Sequence, residues 1–292
     1  MVDAGARMAR WHIGTTVIHK VLEAEVTASL PAVLRTDDTA LLKRHPWPGP
    51  GFSREDGTFV ISVHALLVDT GGRRILVDTC VGNGRASVPM LRMLDTAWLD
   101  DLTALGHPPE SIDTVVCTHL HFDHIGWNTR LVDGRWVPTF PRARHLATRT
   151  EWDHWKGEAG TDLHDTMRPL LDADLVDLVD LVGTRHRVGD GVYLEAAPGH
   201  TPGQVAVVVE SGAERAVITG DLVHHPVQFT EPDVPSLSDV DATLAAATRR
   251  AFVDRYADTG TLVIGTHFPA PTAGLLQRGP DGAVRFVADA RH

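Results

Sequence analysis

Cysteine is nearly absent from this 292-residue chain, with Cys80 and Cys117 the only two. That excludes a disulfide scaffold, and a chain of this length buries a core without one. No apolar run approaches the roughly 20 residues that a membrane helix needs. The start, Met-Val-Asp-Ala-Gly-Ala-Arg-Met-Ala-Arg, lacks the apolar core of a secretory signal, so a cytoplasmic, soluble protein is expected, with no membrane partner. Positive charge is also short: 27 Lys and Arg stand against 38 Asp and Glu, for a net charge of −11. A general binder of phosphate backbones needs the opposite balance, so no nucleic-acid partner is expected. Internal repeats and dividing linkers are missing too. One domain over 1–292 is expected, with residues 30–58, which include the stiff Pro46-Trp47-Pro48-Gly49-Pro50-Gly51, as a surface excursion on the pocket side.

Short apolar bursts bounded by turn residues predict strands at Val60–Asp69, Arg74–Asp78 and Thr114–Cys117, then at Val192–Ala196, Val205–Glu210, Ala216–Thr219, Thr261–Ile264 and Val284–Ala288. Thr70-Gly71-Gly72-Arg73 and Asp133-Gly134 read as hairpin turns. Helices are predicted over Leu91–Leu105, ended by Gly106 and Pro108, over Asp162–Leu181, and over Ser238–Tyr256 with Ser238 as cap and Asp241 as its loose capping-box partner. The aspartates of Asp172–Asp180 then fall on a solvated helical face. Hairpins mixed with helix-separated strands make this an α/β chain with mixed sheets.

Histidine is plentiful, at 17 residues, and position matters more than number. Thr118-His119-Leu120-His121-Phe122-Asp123-His124 follows the strand ending at Cys117. Residues two apart on an extended segment point the same way, so His119 and His121 face one metal ion. Asp123 and His124, after the chain turns, face a second. Pro198-Gly199-His200-Thr201-Pro202-Gly203, Thr219-Gly220-Asp221 and Gly265-Thr266-His267 each bring one more donor to a strand end. A lone strand-end histidine is more often structural than ligating. Four groups sharing that placement are what carries weight.

With these motifs in this order, from about Val60 to His267, the chain resembles the metallo-β-lactamase superfamily. The resemblance implies a four-layer αββα sandwich of two mixed β-sheets flanked by helices, with metals at one edge. It implies that His119, His121 and His200 hold the first ion, that Asp123, His124 and His267 hold the second, and that Asp221 bridges both. Asp78 would support the ligands without being one. Imidazole and carboxylate without thiolate suit zinc, with manganese or iron as alternatives. Two bridged ions lower the pKa of bound water to about 7, which supplies a hydroxide to attack an ester or lactone.

Trp127-Asn128, Gly203-Gln204 and Leu222-Val223-His224-His225-Pro226 resemble the lactonase and ester or organophosphate hydrolase branch. Asp123, Asp221 and His224 are the expected catalytic residues, acting on a small ester or lactone, in a chain that is a candidate homodimer. His224 departs from the branch, which often has tyrosine three residues beyond the bridging aspartate. Organophosphate, glyoxalase II-like thioester and β-lactam hydrolysis are the alternatives, as is a metal-containing metabolite sensor. Trp127 reads as pocket wall or core, while His225, His64 and Cys80 read as structural. His12, His145, His154 and His186 show no ligand spacing.

Overall fold

Strand periodicity decides the layering. The computed structural model describes residues 8–38, 40–45, 49, 51–86, 91, 93–157, 163–181 and 185–289. The strands are β1 (Arg10–Ile13), β2 (Thr16–Ser29), β3 (Thr58–Asp69), β4 (Arg74–Val77), β5 (Thr114–Val116), a separate hairpin of β6 (Thr129–Val132) and β7 (Arg135–Pro138), then β8 (Arg144–Thr148) and β9 (Val176–Val179). There follow β10 (Arg185–Gly189), β11 (Val192–Ala196), β12 (Val205–Ser211), β13 (Glu214–Ile218), β14 (Leu262–Ile264), β15 (Ala273–Arg278) and β16 (Val284–Ala288). One sheet runs β1-β2-β3-β4-β5-β8-β9 and the other β10 through β16 in sequence order. Both are mixed: β4, β5, β8 and β9 pair in parallel, as do β13 and β14.

Alternating residues on these strands face two different cores, because successive side chains leave opposite faces of a sheet. Leu66, Val68, Ile75 and Val77 of the first sheet meet Val205, Val207, Val209, Ala216 and Ile218 of the second. The intervening Ala65, Leu67 and Leu76 point the other way, onto Trp98, Leu102, Met167 and Leu170. Ala206, Val208 and Val217 turn outward onto Phe252, Val253 and Tyr256 of the Ala242–Tyr256 helix. The result is helix, sheet, sheet, helix.

Three expected helices change. Over 91–105 only Trp98–Ala104 is helical. Residues 93 and 94 instead pair with 85 and 84 through Met93 N to Arg85 O and Gly84 N to Leu94 O, with Met93 at φ +54°; Arg92 lies outside the described residues. The 162–181 stretch breaks into Leu163–Thr166 and Arg168–Asp172 before β9, with Asp174 at φ +55°, and Asp162 lies outside the described residues. Its aspartates do not form one helical face: Asp177 pairs with Arg144, and Asp180 with Arg149. The last helix begins at Ala242, and Asp241, not Ser238, caps it by accepting from Leu244 N at 2.9 Å. Pattern reading also missed β1, β2, β8, β9, β10 and β15, whose polar residues blur the alternation.

Within 30–58, Leu30, Leu34, Leu41 and Leu42 pack on Phe59 and Val227. Of the Pro46–Gly51 loop, residues 46–48 and 50 lie outside the described residues. Among the described residues no helix is long and apolar enough to cross a membrane.

Candidate metal centre

The C-terminal ends of β4, β5, β13 and β14 open onto one rim, and the expected donors meet there. His119 Nε2 and His200 Nε2 each lie 3.0 Å from His121 Nδ1. The three rings stand nearly perpendicular in pairs, at 80°, 86° and 87°, forming a tripod. Asp123, His124 and His267 form a second group, with His267 Nε2 3.6 Å from Asp123 Oδ2 and His124 Nε2 3.7 Å from Asp123 Oδ1. Asp221 lies between the two groups. Its Oδ2 is 3.0 Å from His267 Nε2, 3.5 Å from His200 Nε2 and 3.8 Å from His119 Nε2, and its Oδ1 is 3.3 Å from His124 Nε2.

The outer nitrogens fix what the inner ones can do. His124 Nδ1 meets Asp78 Oδ2 at 2.8 Å, His267 Nδ1 meets the Ser62 carbonyl at 3.1 Å, and His200 Nδ1 meets Asp239 Oδ1 at 3.2 Å. His119 Nδ1 meets Thr118 Oγ1 at 3.1 Å, and that hydroxyl already donates to Asp78 Oδ2. Each of these imidazoles therefore donates from Nδ1 to its outer partner, so that Nε2 faces inward and offers a lone pair whenever the ring is neutral. Four lone pairs and the Asp221 carboxylate converge in a buried space. Such an arrangement is repulsive unless positive charge sits among them, so the donor set fits divalent cations.

The electrostatics carry the same demand. Burial depresses His124, but Asp221, Asp78 and Asp123 outweigh it and raise the imidazole well above its ordinary range. His267 is likewise raised against burial, chiefly by Asp221. Burial raises Asp221, yet His124, His267, His224 and His119 bring it well below the usual carboxylate range. His119 and His121, desolvated and surrounded by other imidazoles, are pulled down, His121 to about 3.

The loops are shaped by their backbones. Asp78 sits at φ +60°, a conformation that Asp tolerates better than most residues, and its Oδ1 accepts from Thr118 N at 2.8 Å. Gly220 at φ +56° lets Asp221 turn inward, where Gln204 Oε1 accepts from Asp221 N.

Beside the donors lies a cavity of about 590 Å³ whose apolar wall includes Val26, Ala28, Val33, Ile61, Val63 and Leu237. Ala32 and Val33 come from the 30–58 excursion. His121, Asp123, Asp221, His224 and His267 form its floor. His224 Nε2 is 3.1 Å from Asp221 Oδ2, its ring stacks on His267 at 14°, and its buried Nδ1 has no hydrogen-bond partner among the described residues.

Other candidates are structural. Trp127 is core: it stacks on Trp98 and donates to Glu23 Oε1 at 2.6 Å. His225 bonds the Phe52 carbonyl and accepts from Val227 N. His64 bonds Ser62 Oγ within its strand. Burial raises the Cys80 thiol well above its ordinary value, which leaves it inert. Sequence reading missed Glu151 and Asp239, two buried carboxylates that touch ligand loops. Asp239 carries no local signal. Glu151 does, because Thr148-Arg149-Thr150-Glu151 is a capping-box pattern.

The family model described as "Metallo-beta-lactamase superfamily" matches residues 58–282. Rv2300c of Mycobacterium tuberculosis, named a probable metallo-hydrolase, is 30% identical over 187 residues, which are 56% of this chain and 57% of that protein. The N-acyl homoserine lactonase AttM of Azorhizobium caulinodans is 29% identical over 197 residues, 62% of this chain and 67% of its own. The chain thus spans little more than half the length of the first of these curated relatives. In fold it matches the hydrolase AbOPH, with a TM-score of 0.81 at 23% identity over 99% of this chain and 100% of that one. The dizinc quorum-quenching lactonase AidC gives 0.75 at 24%, over 98% of each chain. Ligand-loop order, the two-sheet sandwich and the family match agree: this chain belongs to the metallo-β-lactamase superfamily.

Proposed function

We propose that this chain is a metal-dependent hydrolase that opens lactones or related carboxylic esters, with two divalent ions, zinc by the chemistry of the donors. The observation that carries the reading is the gathering of seven donors into two groups that share Asp221, on the floor of an apolar cavity. In this reading His119, His121 and His200 would hold one ion and Asp123, His124 and His267 the other, with Asp221 shared between the two groups. When bound, the ions supply a nucleophile from water at neutral pH and polarise the electrophilic oxygen.

The chain's own residues do the rest. The wall from Val26 to Leu237 binds the hydrocarbon part of the substrate and excludes water. His224 is favoured in its neutral form by burial and, on the cavity floor, donates from Nε2 to Asp221 Oδ2, which orients that carboxylate. Asp123, whose side chain is 16% exposed on the cavity floor, carries a proton to the leaving oxygen. We read residues 1–292 as one domain, since both sheets contribute ligands across a shared core.

The wall also ranks substrates. Among the described residues that line the cavity there is no lysine or arginine. Glutathione thioesters and most β-lactams carry carboxylates that this wall leaves unpaired, whereas neutral lactones, esters and phosphotriesters fit it. The resemblance of AttM and AidC, both named as lactonases, favours the lactone.

The test is a panel of acyl lactones, simple esters, a phosphotriester, a glutathione thioester and a β-lactam, offered to zinc-loaded protein. Lactone or ester turnover is expected, and Asp221→Ala should abolish it. Full metal content without hydrolysis of any lactone or ester would sink the reading.

A further inference from the structure

We propose that Glu151 is the positioning residue that assembles the three-histidine half of the centre, so that removing its carboxylate costs the chain that ion selectively. The inference rests on the two-ion reading above.

Glu151 opens the Arg149–Trp155 helix, where Thr148 caps by accepting from Glu151 N at 3.1 Å. In an ordinary capping box the glutamate would return to the backbone N–H of the cap residue. Here it turns away. Oε1 accepts from Leu120 N at 3.1 Å, between the ligands His119 and His121, and Oε2 accepts from Gly203 N at 2.9 Å, three residues past His200. One buried carboxylate thus joins two ligand loops that are about 80 residues apart in sequence.

Two further observations point to the same joint. Oε1 also accepts from Trp155 Nε1 at 2.7 Å, and the Trp155 ring meets the edge of His121 with centroids 5.2 Å apart. Gly203 is pressed onto the helix start: a Cβ there would lie 2.3 Å from Glu151 N and 2.4 Å from Thr148 Oγ1. Thr148 Oγ1 in turn donates to Gly203 O at 2.8 Å. Both polar backbone groups of Gly203 are held by this one turn of helix.

Among the described residues, the hydrogen bonds of the Glu151 carboxylate lie on the side of His119, His121 and His200, and none goes to Asp123, His124 or His267. A glutamine has the same shape but one oxygen, so its NH₂ faces either Leu120 N–H or Gly203 N–H, donor against donor. One loop is then released and the tripod opens.

The experiment titrates Co(II), then Zn(II), into full-length wild type, Glu151→Gln and Glu151→Asp, reading ions per chain and the cobalt d–d spectrum. Glu195→Gln serves as control, because Glu195 is another buried carboxylate, one that binds Arg185, Arg255 and Tyr256 on the far side of the second sheet. Wild type and control should hold two ions. The Gln variant should keep one at wild-type affinity and bind the other about 10- to 100-fold more weakly, with one set of cobalt bands lost. The Asp variant, one methylene too short to span both loops, should do the same and covers the case in which Gln fails to fold. Two ions at wild-type affinity in both variants, even with a lowered Tm, would overturn the inference and leave the two-ion reading standing. A wild type holding fewer than two would overturn both.

Discussion

Asp78→Asn is the sharpest probe of how the outer hydrogen bonds set the metal donors. Asn keeps the side-chain shape and tolerates the φ of +60° at this position, so backbone strain does not enter. What changes is the acceptor count. Asp78 Oδ1 takes Thr118 N–H, and Oδ2 takes both Thr118 Oγ1–H and His124 Nδ1–H. If the new NH₂ replaces Oδ2, it donates to His124 Nδ1 and drives that imidazole into the other tautomer, with a proton on Nε2 where the lone pair must be. If it replaces Oδ1, it opposes Thr118 N–H and loosens the loop that carries His119. Either way one hydrogen bond to a charged acceptor is lost, about 1.5–3 kcal/mol. At 1.36 kcal/mol per tenfold, that is, on the two-ion reading, a roughly 10- to 100-fold weaker ion at the His124 side in the first case and at the His119 side in the second, the range seen when such supporting groups are removed. Competition against a chromophoric chelator measures it, and ¹⁵N shifts of His124 report the tautomer. An Asp78→Asn protein that held both ions within about threefold of wild type, with Nε2 of His124 unprotonated, would refute the tautomer argument.

Three other predictions follow from the same structure. Protons compete with cations for His124 and His267, whose pKa values are raised, so zinc affinity should fall as pH drops through a value above the ordinary 6.5, and a flat affinity from pH 8 to 6 would contradict this. With excess chelator the sign reverses above pH 6.5: the folded state holds these protons more tightly than the unfolded chain, so Tm should decline as pH rises through the raised values. Asp241→Ala should cost about 1 kcal/mol by removing the helix cap, whereas Ser238→Ala should cost far less, as chemical denaturation will show.

The candidate metal donors were legible because their chemistry restricts residue type and their spacing is local. His119 and His121 are two apart on an extended segment, and His200, Asp221 and His267 each follow an apolar strand. Asp78 was legible through family resemblance alone, since an aspartate after a strand has many ordinary explanations. The Ser238 cap failed because a serine three residues before an aspartate satisfies the pattern, while the observed φ and ψ put Asp241 itself at the helix start. β2, although 14 residues long, was not read: Lys20 and Glu23 stand among its apolar residues, and both are buried by partners far away in sequence. Lys20 donates to Thr272 and Glu23 accepts from Val81 N, Gly82 N and Trp127. No window of local sequence contains those partners.

The same limitation explains how the centre is built. Four buried carboxylates stand behind the candidate ligands: Asp78, Glu151 and Asp239 take hydrogens from such a residue or its loop, and Glu23 takes one from Trp127, three residues past His124. Burying a carboxylate costs several kcal/mol unless its oxygens are satisfied, and here backbone N–H groups, imidazole N–H groups and Arg249 satisfy them. Where an imidazole Nδ1–H is spent on an outer acceptor, as at His124 and His200, the neutral ring is left with its lone pair on the inner nitrogen. The anionic outer layer and the lone-pair inner layer are therefore one device: the first orients and polarises the second, and together they make the rim attractive to cations. A lysine or arginine at the rim would supply that charge from the chain itself, and the cavity has none among its described lining residues.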